Sequence, residues 1–412
     1  MVMKKERKLK TAIIGGGASG LFLATALSKE NADIAVFERG ERVGRKLSAT
    51  GNGQGNLTNK AVKNTKYFSS SEKGTLLAQR LVERYDENSL CEFFRLLGVL
   101  VFFDERGRGY PTSRQASALT DALRFALRSQ GVTTMTDTQI VALEKISGGF
   151  ILTTANGEKY EAERVVLCTG GKAAKNFGTD GSAYVLAQNF GHTVTNLYPS
   201  LVQLKTDTTS IRALKGIRVF DAAVTAYWKE EGEEKSHTLR GDIIFTDYGV
   251  SGDAAFRLSA FIAAQKEASL SIDFLPDVSK ETLLQALKNK RAAFPDLEES
   301  ERLCGIVNNQ VGRAIMKSLQ NADDNSVVCA LKHFTLPVKG TLGFDYAQVT
   351  KGGIPLDEVD ENLQSKKVKD LYFAGEILDI DGECGGFNLQ WAYASARTIA
   401  AAISQNSEKR QG

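Results

Sequence analysis

The run GGGASG at residues 15–20 constrains the fold of this chain more than any other feature. It follows residues 10–14, which end in Ala-Ile-Ile and predict a short buried strand. In a G-x-G-x-x-G turn the first glycine permits a tight turn, the second lets backbone approach a pyrophosphate, and the third lets helix and strand pack closely. Amide groups at the start of the following helix favour an anion. The pattern therefore predicts a strand, a phosphate-binding turn and a helix.

A second strand and an acidic residue complete this pattern. Residues 34–37 are apolar, and Glu38 follows them about 20 residues after the turn. An acid at this place binds ribose hydroxyls and disfavours a 2′-phosphate. Because strand, turn, helix, second strand and acid occur together, they predict a βαβ unit that binds FAD or NAD rather than NADP. A glycine-rich turn without a ligand is the less favoured alternative.

Three later segments predict contacts to the same nucleotide. The first is Gly44-Arg45-Lys46-Leu47 with the loop at 50–59, whose backbone and cations can face phosphates. The second is Thr169-Gly170-Gly171, after an apolar strand. The third is a strand that ends at Gly375-Glu376, followed by Gly385-Gly386 before an amphipathic helix. Each segment also has an alternative that involves no ligand. The alternative is a solvated loop for the first segment, a strand-end turn for the second and a glycine-capped helix for the third.

The helix after Gly386 suits the redox-active ring of a flavin. Its N–H groups and positive dipole end would face the N1–C2=O edge of the ring, where negative charge develops on reduction. The carboxylate of Glu376 would bind a ribityl hydroxyl or a water on the diphosphate. These expectations favour FAD as the bound nucleotide.

Composition and charge exclude several other classes of protein. A chain of 412 residues exceeds the size of one hydrophobic core, so two or three domains are expected. The net charge of +3, from 52 basic and 49 acidic residues, gives no reason to expect nucleic acid or an anionic membrane as partner. The five scattered cysteines form no C-x-x-C pair and no metal-binding spacing with the three histidines. Neither a disulfide framework nor a metal site is therefore predicted.

The start of the chain has two interpretations. Residues 1–10 are basic and precede an apolar run at 11–27, which superficially resembles a secretory signal. Three consecutive glycines inside the run fit a strand and turn better. Because the cysteine usage also suits a reducing cytosol, we expect a cytoplasmic protein that does not span a membrane.

Taken together, these segments resemble a bacterial flavoprotein family within the glutathione-reductase-like FAD superfamily. The family includes aminoacetone oxidase and the bile-acid dienone (3-dehydro-bile acid delta-4,6) reductase. The matching stretches, spread over nearly the whole chain, are GGGASG, GRKLSATGNGQGNLTN, VVLCTGG, FTDYGVSG, VTKGGIPLDEVDENLQSK and LYFAGEILDIDGECGGFNLQWAYASA. The chain departs from the family pattern in two places: Gln54-Gly55 replace a frequent Arg-Cys, and Ala396 replaces a usual Gly.

The resemblance implies an α/β fold with a split, Rossmann-like FAD domain of the glutathione-reductase type. Residues 1–193 and 335–412 would form its two parts. An inserted β-rich substrate domain would occupy 194–277, and a small helical domain 278–334. The sequence pattern changes near the same positions, with strand-like alternation at 219–227 and helical leucine spacing after 278.

The motifs and the resemblance together predict contacts to FAD in all four segments, with Asn56 and Asn388 assigned by the resemblance. The full set is Gly15, Gly17, Ala18, Ser19, Gly20, Glu38, Arg39, Arg45, Lys46, Gly51, Asn56, Leu57, Thr169, Gly170, Gly171, Gly375, Glu376, Gly385, Gly386, Phe387, Asn388 and Leu389.

The reaction is less constrained than the cofactor. No second G-x-G-x-x-G and no redox cysteine pair is present, so the disulfide-reductase class is excluded. The first hypothesis is an FAD enzyme that reduces a small or medium organic substrate of the enone or dienone type, with NAD(P)H as a transient donor. The alternative is an oxygen-dependent, aminoacetone-like amine oxidase that produces hydrogen peroxide. The third is a flavoprotein of RNA modification, and the absence of a basic patch with interleaved aromatics counts against it.

Catalysis needs no side-chain acid where flavin N5 carries the hydride, so the catalytic residues stay unassigned. The substrate-side candidates are Arg108 and Tyr110, which would hold an anionic or carbonyl group. In the matched FTDYGVSG stretch they are Asp247, Tyr248 and Ser251. An ordinary solvated turn is the alternative for both groups. We expect a monomer or a homodimer.

Overall fold

The computed structural model describes residues 8–27, 33–64 and 67–411, so Met1–Arg7 of the basic start lie outside the described residues. The helices are α1 (Ala18–Leu27), α2 (Glu72–Arg84), α3 (Glu87–Leu96), α4 (Ala116–Ser129), α5 (Tyr184–Gln188), α6 (Asp253–Ile262), α7 (Lys280–Ala293), α8 (Asn309–Ser318), α9 (Asp324–Lys332) and α10 (Phe387–Gln411).

The strands are β1 (Leu9–Ile14), β2 (Ile34–Phe37), β3 (Thr58–Asn59), β4 (Val101–Phe103), β5 (Arg108–Pro111), β6 (Thr133–Met135), β7 (Ile140–Ile146), β8 (Gly149–Thr154), β9 (Lys159–Leu167), β10 (Tyr198–Ser200), β11 (Leu204–Thr206), β12 (Arg218–Glu230), β13 (Glu233–Phe245), β14 (Gly249–Ser251), β15 (Ala268–Asp273), β16 (Phe334–Thr341), β17 (Val349–Lys351) and β18 (Leu371–Phe373).

The chain folds into two compact units. The first unit contains residues 1–198 and 349–412, and the second unit contains residues 199–348. The first is an α/β unit of the Rossmann type with a mixed sheet, and the second is a β-rich unit. The domain boundaries after residues 193, 277 and 334 stay predictions. The separate helical domain at residues 278–334 also stays a prediction.

The sheet of the first unit has the strand order β6-β2-β1-β9-β8-β7, and β18 also pairs with β9. Neighbours β6, β2, β1 and β9 are parallel, as are β18 and β9, while β7 and β8 add an antiparallel edge. Every residue of β2 is buried, as expected for a parallel strand covered on both faces. The predicted βαβ unit is therefore present, with β1 and β2 in register from Thr11↔Ile34 to Ile14↔Phe37.

Aromatic packing joins the N-terminal helix to the C-terminal one. Phe22 of α1 meets Phe93 of α3 and Tyr393 of α10 edge to face, at centroid distances of 5.6 and 5.4 Å. All three rings are buried. Each such pair contributes about 0.5–1.5 kcal/mol beyond its buried area, so the core fixes α10 beside the first βαβ unit.

A small antiparallel sheet of order β3-β5-β4 also belongs to the first unit. Residues 104–111 look like a loop in the sequence, yet their second half forms β5. The reason is Gly109, which pairs with Thr58 and has no side chain to keep the two strands apart. This sheet places the loop after Lys46 beside the segment that carries Arg108.

The second unit is a closed barrel of order β11-β14-β13-β12-β15-β16. Its core contains alternate residues of β12, such as Ala222 and Val224, because successive side chains of a strand point to opposite faces. Helices α6 to α9 contribute to the same core, with Leu258 and Leu287 among the buried residues. In neither unit does a described helix combine the length and apolar character that a bilayer span requires.

A buried histidine joins two loops of the first unit. The ring of His192 bonds through Nδ1 to Glu358 Oε2 at 2.6 Å and through Nε2 to Ser365 Oγ at 2.7 Å. Burial lowers the pKa of His192, although Glu358 opposes the shift. Burial alone would raise the pKa of Glu358. Hydrogen bonds from Lys367, Thr193 and His192 outweigh this effect, so the pKa of Glu358 is lowered. The native state therefore holds a neutral imidazole beside a carboxylate.

The His192 site predicts a pH dependence of stability. Because burial lowers the pKa of His192 in the folded state, the unfolded chain binds more protons as the pH falls below about 6.5, the usual pKa of a histidine. The free energy of unfolding should fall between pH 7.5 and 5, with a slope from this group of at most about 1.4 kcal/mol per pH unit. Urea unfolding at several pH values measures the slope.

The control is His237→Gln, because His237 lies in the second unit, stacked on Phe261 at 4.2 Å. His192→Gln should lose part of the slope, and His237→Gln should keep it. An unchanged slope in His192→Gln would show that His192 does not titrate on unfolding.

Candidate cofactor and active site

The three glycines of the first turn have different surroundings. A Cβ on Gly15 would collide with Cys168 O, and one on Gly20 would collide with Gly15 O. Gly15 also has a φ of +106°, which other residues rarely adopt. A Cβ on Gly17, by contrast, would meet no atom within 4 Å. The first and third glycines are thus required by the protein's own packing, and the second faces open space at the start of α1.

Glu38 is oriented by two backbone amides. Its Oε2 accepts a hydrogen bond from Gly16 N, and its Oε1 accepts one from Gly40 N, both at 2.8 Å. Each carboxylate oxygen can accept more than one hydrogen bond. The carboxylate is thus fixed beside the turn with capacity for the hydroxyls of a ribose.

The predicted cations have partners within the first unit. Arg39 Nη1 pairs with Asp180 Oδ1 at 3.0 Å, and Arg45 Nη2 donates to Asn176 O at 2.9 Å. Lys46 Nζ pairs with Glu376 Oε2 at 2.7 Å. A phosphate role for Arg39, Arg45 and Lys46 stays a prediction.

Glu376 lies where the segment at residues 169–171 meets the segment at residues 375–386. Its Oε1 accepts a hydrogen bond from Thr350 N at 2.9 Å. The hydroxyl oxygen of Thr350 accepts from Lys172 N and Ala173 N at 2.7 and 2.9 Å. A Cβ on Gly171 would overlap this hydroxyl and lie 3.1 Å from Glu376 Oε1. Thr350 was not among the predicted residues, and the only signal for it was the matched VTKGG stretch.

The glycine pair before α10 packs against the loop at 50–59. Asn59 Nδ2 donates to Gly385 O at 3.1 Å. Gly386 has a φ of +101°, and a Cβ there would collide with Thr58 O. Thr58 Oγ1 also donates to Gln390 Oε1 at 2.6 Å. These contacts place the start of α10 beside the loop after Lys46.

Two predicted asparagines bond to the protein's own backbone. Asn56 Nδ2 donates to Gly109 O at 3.1 Å. Asn388 accepts from Gly382 N and donates to Gly382 O, both at 2.9 Å. Both side chains hold loops in place, and a direct FAD contact for either stays a prediction.

The other predicted contacts include one glycine with a positive φ angle and three apolar residues. Gly51 has a φ of +59°, in the glycine-rich loop. Leu57 and Phe387 are buried in the core of the first unit, and Leu389 is half-buried.

Thr169 and its neighbours provide a further test of whether these residues fit a bound dinucleotide. The hydroxyl oxygen of Thr169 is buried and has no hydrogen-bond partner in the described part of the chain. Gly170, with a φ of +72°, follows it. A buried polar atom without a partner costs about 1–3 kcal/mol, so a group from outside the chain is expected to satisfy it. With the open space at Gly17, this orphan hydroxyl fits a bound polar cofactor.

The substrate-side candidates of the first unit lie on β5. Arg108 Nε is 3.6 Å from the position of a Cβ on Gly385, so the guanidinium lies beside the glycine pair before α10. Tyr110 is buried and stacks on Phe102 at 5.9 Å, with the guanidinium of Arg114 5.2 Å from its ring. The structure thus brings Arg108 to Gly385, and a substrate role for Tyr110 stays a prediction.

The three candidates of the second unit lie in and after the turn from β13 to β14. Asp247 Oδ2 forms an exposed ion pair with Lys215 Nζ at 2.7 Å, which lowers the pKa of Asp247. The carbonyl of Tyr248 accepts from Thr206 N at 3.1 Å. Ser251 ends β14. A substrate role for these residues stays a prediction.

The glycine-rich turn, Glu38 and the glycine pair before α10 define a dinucleotide-binding protein of the Rossmann type. The chain belongs to the HI0933-like family of FAD-binding proteins, since the model described as "HI0933-like protein Rossmann domain" matches residues 9–402. It is an FAD-dependent oxidoreductase.

Three known proteins are similar over nearly the whole chain. A 3-dehydro-bile acid delta(4,6)-reductase of Clostridium scindens is 34% identical, over 96% of this chain and 99% of its own. A ribosomal RNA dihydrouridine synthase of Escherichia coli K12 is 28% identical, over 94% and 96%. Among solved structures, 3-ketosteroid-delta4-(5alpha)-dehydrogenase from Rhodococcus jostii RHA1 is 16% identical, with 98% of each chain covered and a TM-score of 0.48.

The different surroundings of Gly17 and Gly20 predict different effects of adding one methyl group. Gly17→Ala should leave the unfolding free energy of the apoprotein within about 0.5 kcal/mol, because the new Cβ meets no protein atom. It should weaken FAD binding at least about tenfold, because the motif predicts that the pyrophosphate passes the second glycine and a methyl group there would occupy its space. Titration of the apoprotein with FAD measures the affinity.

Gly20→Ala is the matched variant. Overpacking against Gly15 O should lower the stability of the apoprotein by about 1–3 kcal/mol. If Gly17→Ala binds FAD as tightly as the parent, the pyrophosphate does not pass this residue.

Proposed function

We propose that the protein uses FAD to reduce a carbon–carbon double bond that is conjugated to a carbonyl group, with NAD(P)H as the electron donor. The family relationship to the Clostridium scindens reductase, at 34% identity over both chains, carries this proposal. A 3-dehydro group is a ketone, and double bonds at positions 4 and 6 are conjugated to it. The substrate class we propose is therefore an enone or dienone of small or medium size.

The E. coli relative supports the same chemistry. Dihydrouridine differs from uridine by two hydrogens across C5=C6, a bond conjugated to the C4 carbonyl. Two relatives with different substrates thus have names that describe one reaction type. An activated double bond, rather than a particular ring system, is what their substrates share.

This reaction places defined demands on the protein. FAD held in this site and reduced by NAD(P)H would supply hydride chemistry, and the carbon β to the carbonyl is the position that accepts a hydride. The electron pair of the double bond would shift towards the carbonyl oxygen, and the α carbon would then take up one proton from the solvent. Hydrogen-bond donors held at that oxygen stabilise the developing negative charge.

Arg108 is the residue that best meets this demand. Its backbone N–H donates to Asp104 Oδ1 at 2.9 Å, which anchors the start of β5. Its guanidinium lies beside Gly385, at the end of the segment that leads into α10. A guanidinium stays protonated and can donate two parallel hydrogen bonds, so it suits a carbonyl or a carboxylate.

Reduction of uridine in RNA is the second candidate function, and the E. coli relative favours it. Charge argues against it, because a protein that binds RNA neutralises phosphates with excess cations. Residues 199–348 contain 18 basic and 20 acidic residues. We therefore favour a small molecule as substrate.

The proposal is tested by turnover with four substrate classes. The holoprotein is mixed with NADH or NADPH and a conjugated enone, an unconjugated alkene, a uridine-containing RNA or a primary amine. We expect NAD(P)H oxidation and a product with two added hydrogens for the enone alone. Hydrogen peroxide formed from the amine under oxygen, without enone reduction, would replace this proposal by an amine oxidase. Reduction of the RNA alone would establish the second candidate.

Arg108→Gln should lower kcat/KM for the enone by about 10- to 100-fold. This is the loss expected when a charge-assisted hydrogen bond to the developing oxyanion is removed. The FAD content should stay unchanged, because the backbone of β5 is retained. Arg106→Gln is the control, since Arg106 is exposed in the turn before β5. Equal kcat/KM in both variants would exclude Arg108 from the substrate site.

A further inference from the structure

Tyr184 is a buried polar residue that none of the cofactor motifs contains. It begins α5 and has 5% of its surface exposed. Its hydroxyl group has no hydrogen-bond partner among the residues that the structure describes. Buried polar groups are almost always paired, because burying one without a partner costs free energy. An acceptor from outside the chain would satisfy this hydroxyl.

The surroundings of Tyr184 connect it to the predicted cofactor contacts. Tyr184 N donates to Gly181 O, and Gly181 N in turn donates to Gly171 O at 3.1 Å. The ring atom Cδ2 of Tyr184 lies 3.5 Å from the position of a Cβ on Gly181. Gly171 lies against Glu376, as described above. Tyr184 therefore stands next to the turn after β9, on the side of the Glu376 carboxylate.

The charges around Tyr184 keep its hydroxyl protonated. Burial raises the pKa of Tyr184 far above its usual value, and the carboxylates of Glu376 and Asp379 raise it further. Both carboxylates have other partners: Glu376 bonds to Thr350 N and Lys46, and Asp379 accepts from Ser70 N at 2.9 Å. The hydroxyl is thus a neutral donor that these acids do not use.

We propose that Tyr184 Oη donates a hydrogen bond to an oxygen of the ribityl or diphosphate part of bound FAD. Thr169, whose hydroxyl is also buried without a partner, stands at the start of the same turn. One hydroxyl thus follows β9 and the other begins α5, which is bonded to the same turn through Gly181, and one polar ligand would satisfy both. The inference depends on FAD binding, which the family shows, and not on the reaction proposed above.

A buried water is the competing explanation for the hydroxyl. A water that bridges Tyr184 to the protein would stabilise the apoprotein and the holoprotein alike. A bond to FAD exists only in the holoprotein. The two explanations therefore differ in what removal of the hydroxyl does to the stability of the apoprotein. Loss of a bridging water lowers that stability, whereas loss of a bond to FAD does not.

The test compares Tyr184→Phe with Tyr393→Phe. Tyr393 is also fully buried, but its hydroxyl donates to Ser89 O at 3.0 Å. For Tyr184→Phe we expect an apoprotein melting temperature equal to or above that of the parent, and an FAD dissociation constant raised about 5- to 20-fold. For Tyr393→Phe we expect a lower melting temperature and an FAD dissociation constant within about twofold of the parent.

An FAD dissociation constant within twofold of the parent in Tyr184→Phe would overturn the proposal. So would a lower melting temperature of the apoprotein, because the water explanation predicts that loss in the apoprotein and the holoprotein alike. Competition by ADP locates the bond: weaker ADP binding in the variant assigns it to the diphosphate, and unchanged ADP binding assigns it to the ribityl chain. No substrate is used, so failure of the proposed reaction leaves this result unaffected.

Discussion

The close approach of Gly375 to Ser19 is the contact on which the cofactor site depends. A Cβ on Gly375 would lie 2.8 Å from Ser19 Oγ, and Gly375 has a φ of +75°. The backbone of this residue is held from α10, since Gly375 N donates to Ser395 Oγ at 3.0 Å and its carbonyl accepts from Trp391 Nε1 at 3.1 Å. Residues more than 350 positions apart therefore form one site, because β18 pairs with β9 next to β1.

The polar groups of this site are held by one another before any ligand binds. Lys46, Glu376 and Thr350 form a connected set, with Glu376 at its centre. Such a network keeps its carboxylate oriented, so little reorganisation is needed when a cofactor arrives. The hydroxyl groups of Thr169 and Tyr184 are the exceptions, because they have no partner in the described part of the chain. The charged groups of the site are thus held by hydrogen bonds within the protein, and the two hydroxyl groups lack a hydrogen-bond partner where we expect FAD.

Local motifs were sufficient to predict the βαβ unit and the cofactor class. The turn at residues 15–20, the strand before Glu38 and the glycine pair before α10 each have a short-range signal, and each forms the expected element. The sequence could not predict which polar side chains bond to the protein itself. Asn56 bonds to Gly109, 53 residues away, and Arg45 bonds to Asn176, 131 residues away. The first of these pairings depends on the small sheet of β3, β5 and β4, whose shortest strand has two residues and no periodic pattern. The second joins the loop after β2 to the turn at residues 175–177, and no local signal relates the two. The sequence contains no signal for Tyr184 either, because a buried hydroxyl without a partner can be recognised only in the folded structure.

Single-turnover oxidation of the reduced holoprotein tests the central claim, that FAD in this site reduces a conjugated double bond. The flavin is reduced without oxygen and mixed with one equivalent of a conjugated enone, and its visible absorbance is recorded together with the mass of the product. We predict that the absorbance returns in proportion to the enone and that the product gains two hydrogens, while an unconjugated alkene leaves the flavin reduced. A flavin that stays reduced with every conjugated enone tested, and is oxidised only when oxygen is admitted, would contradict the account.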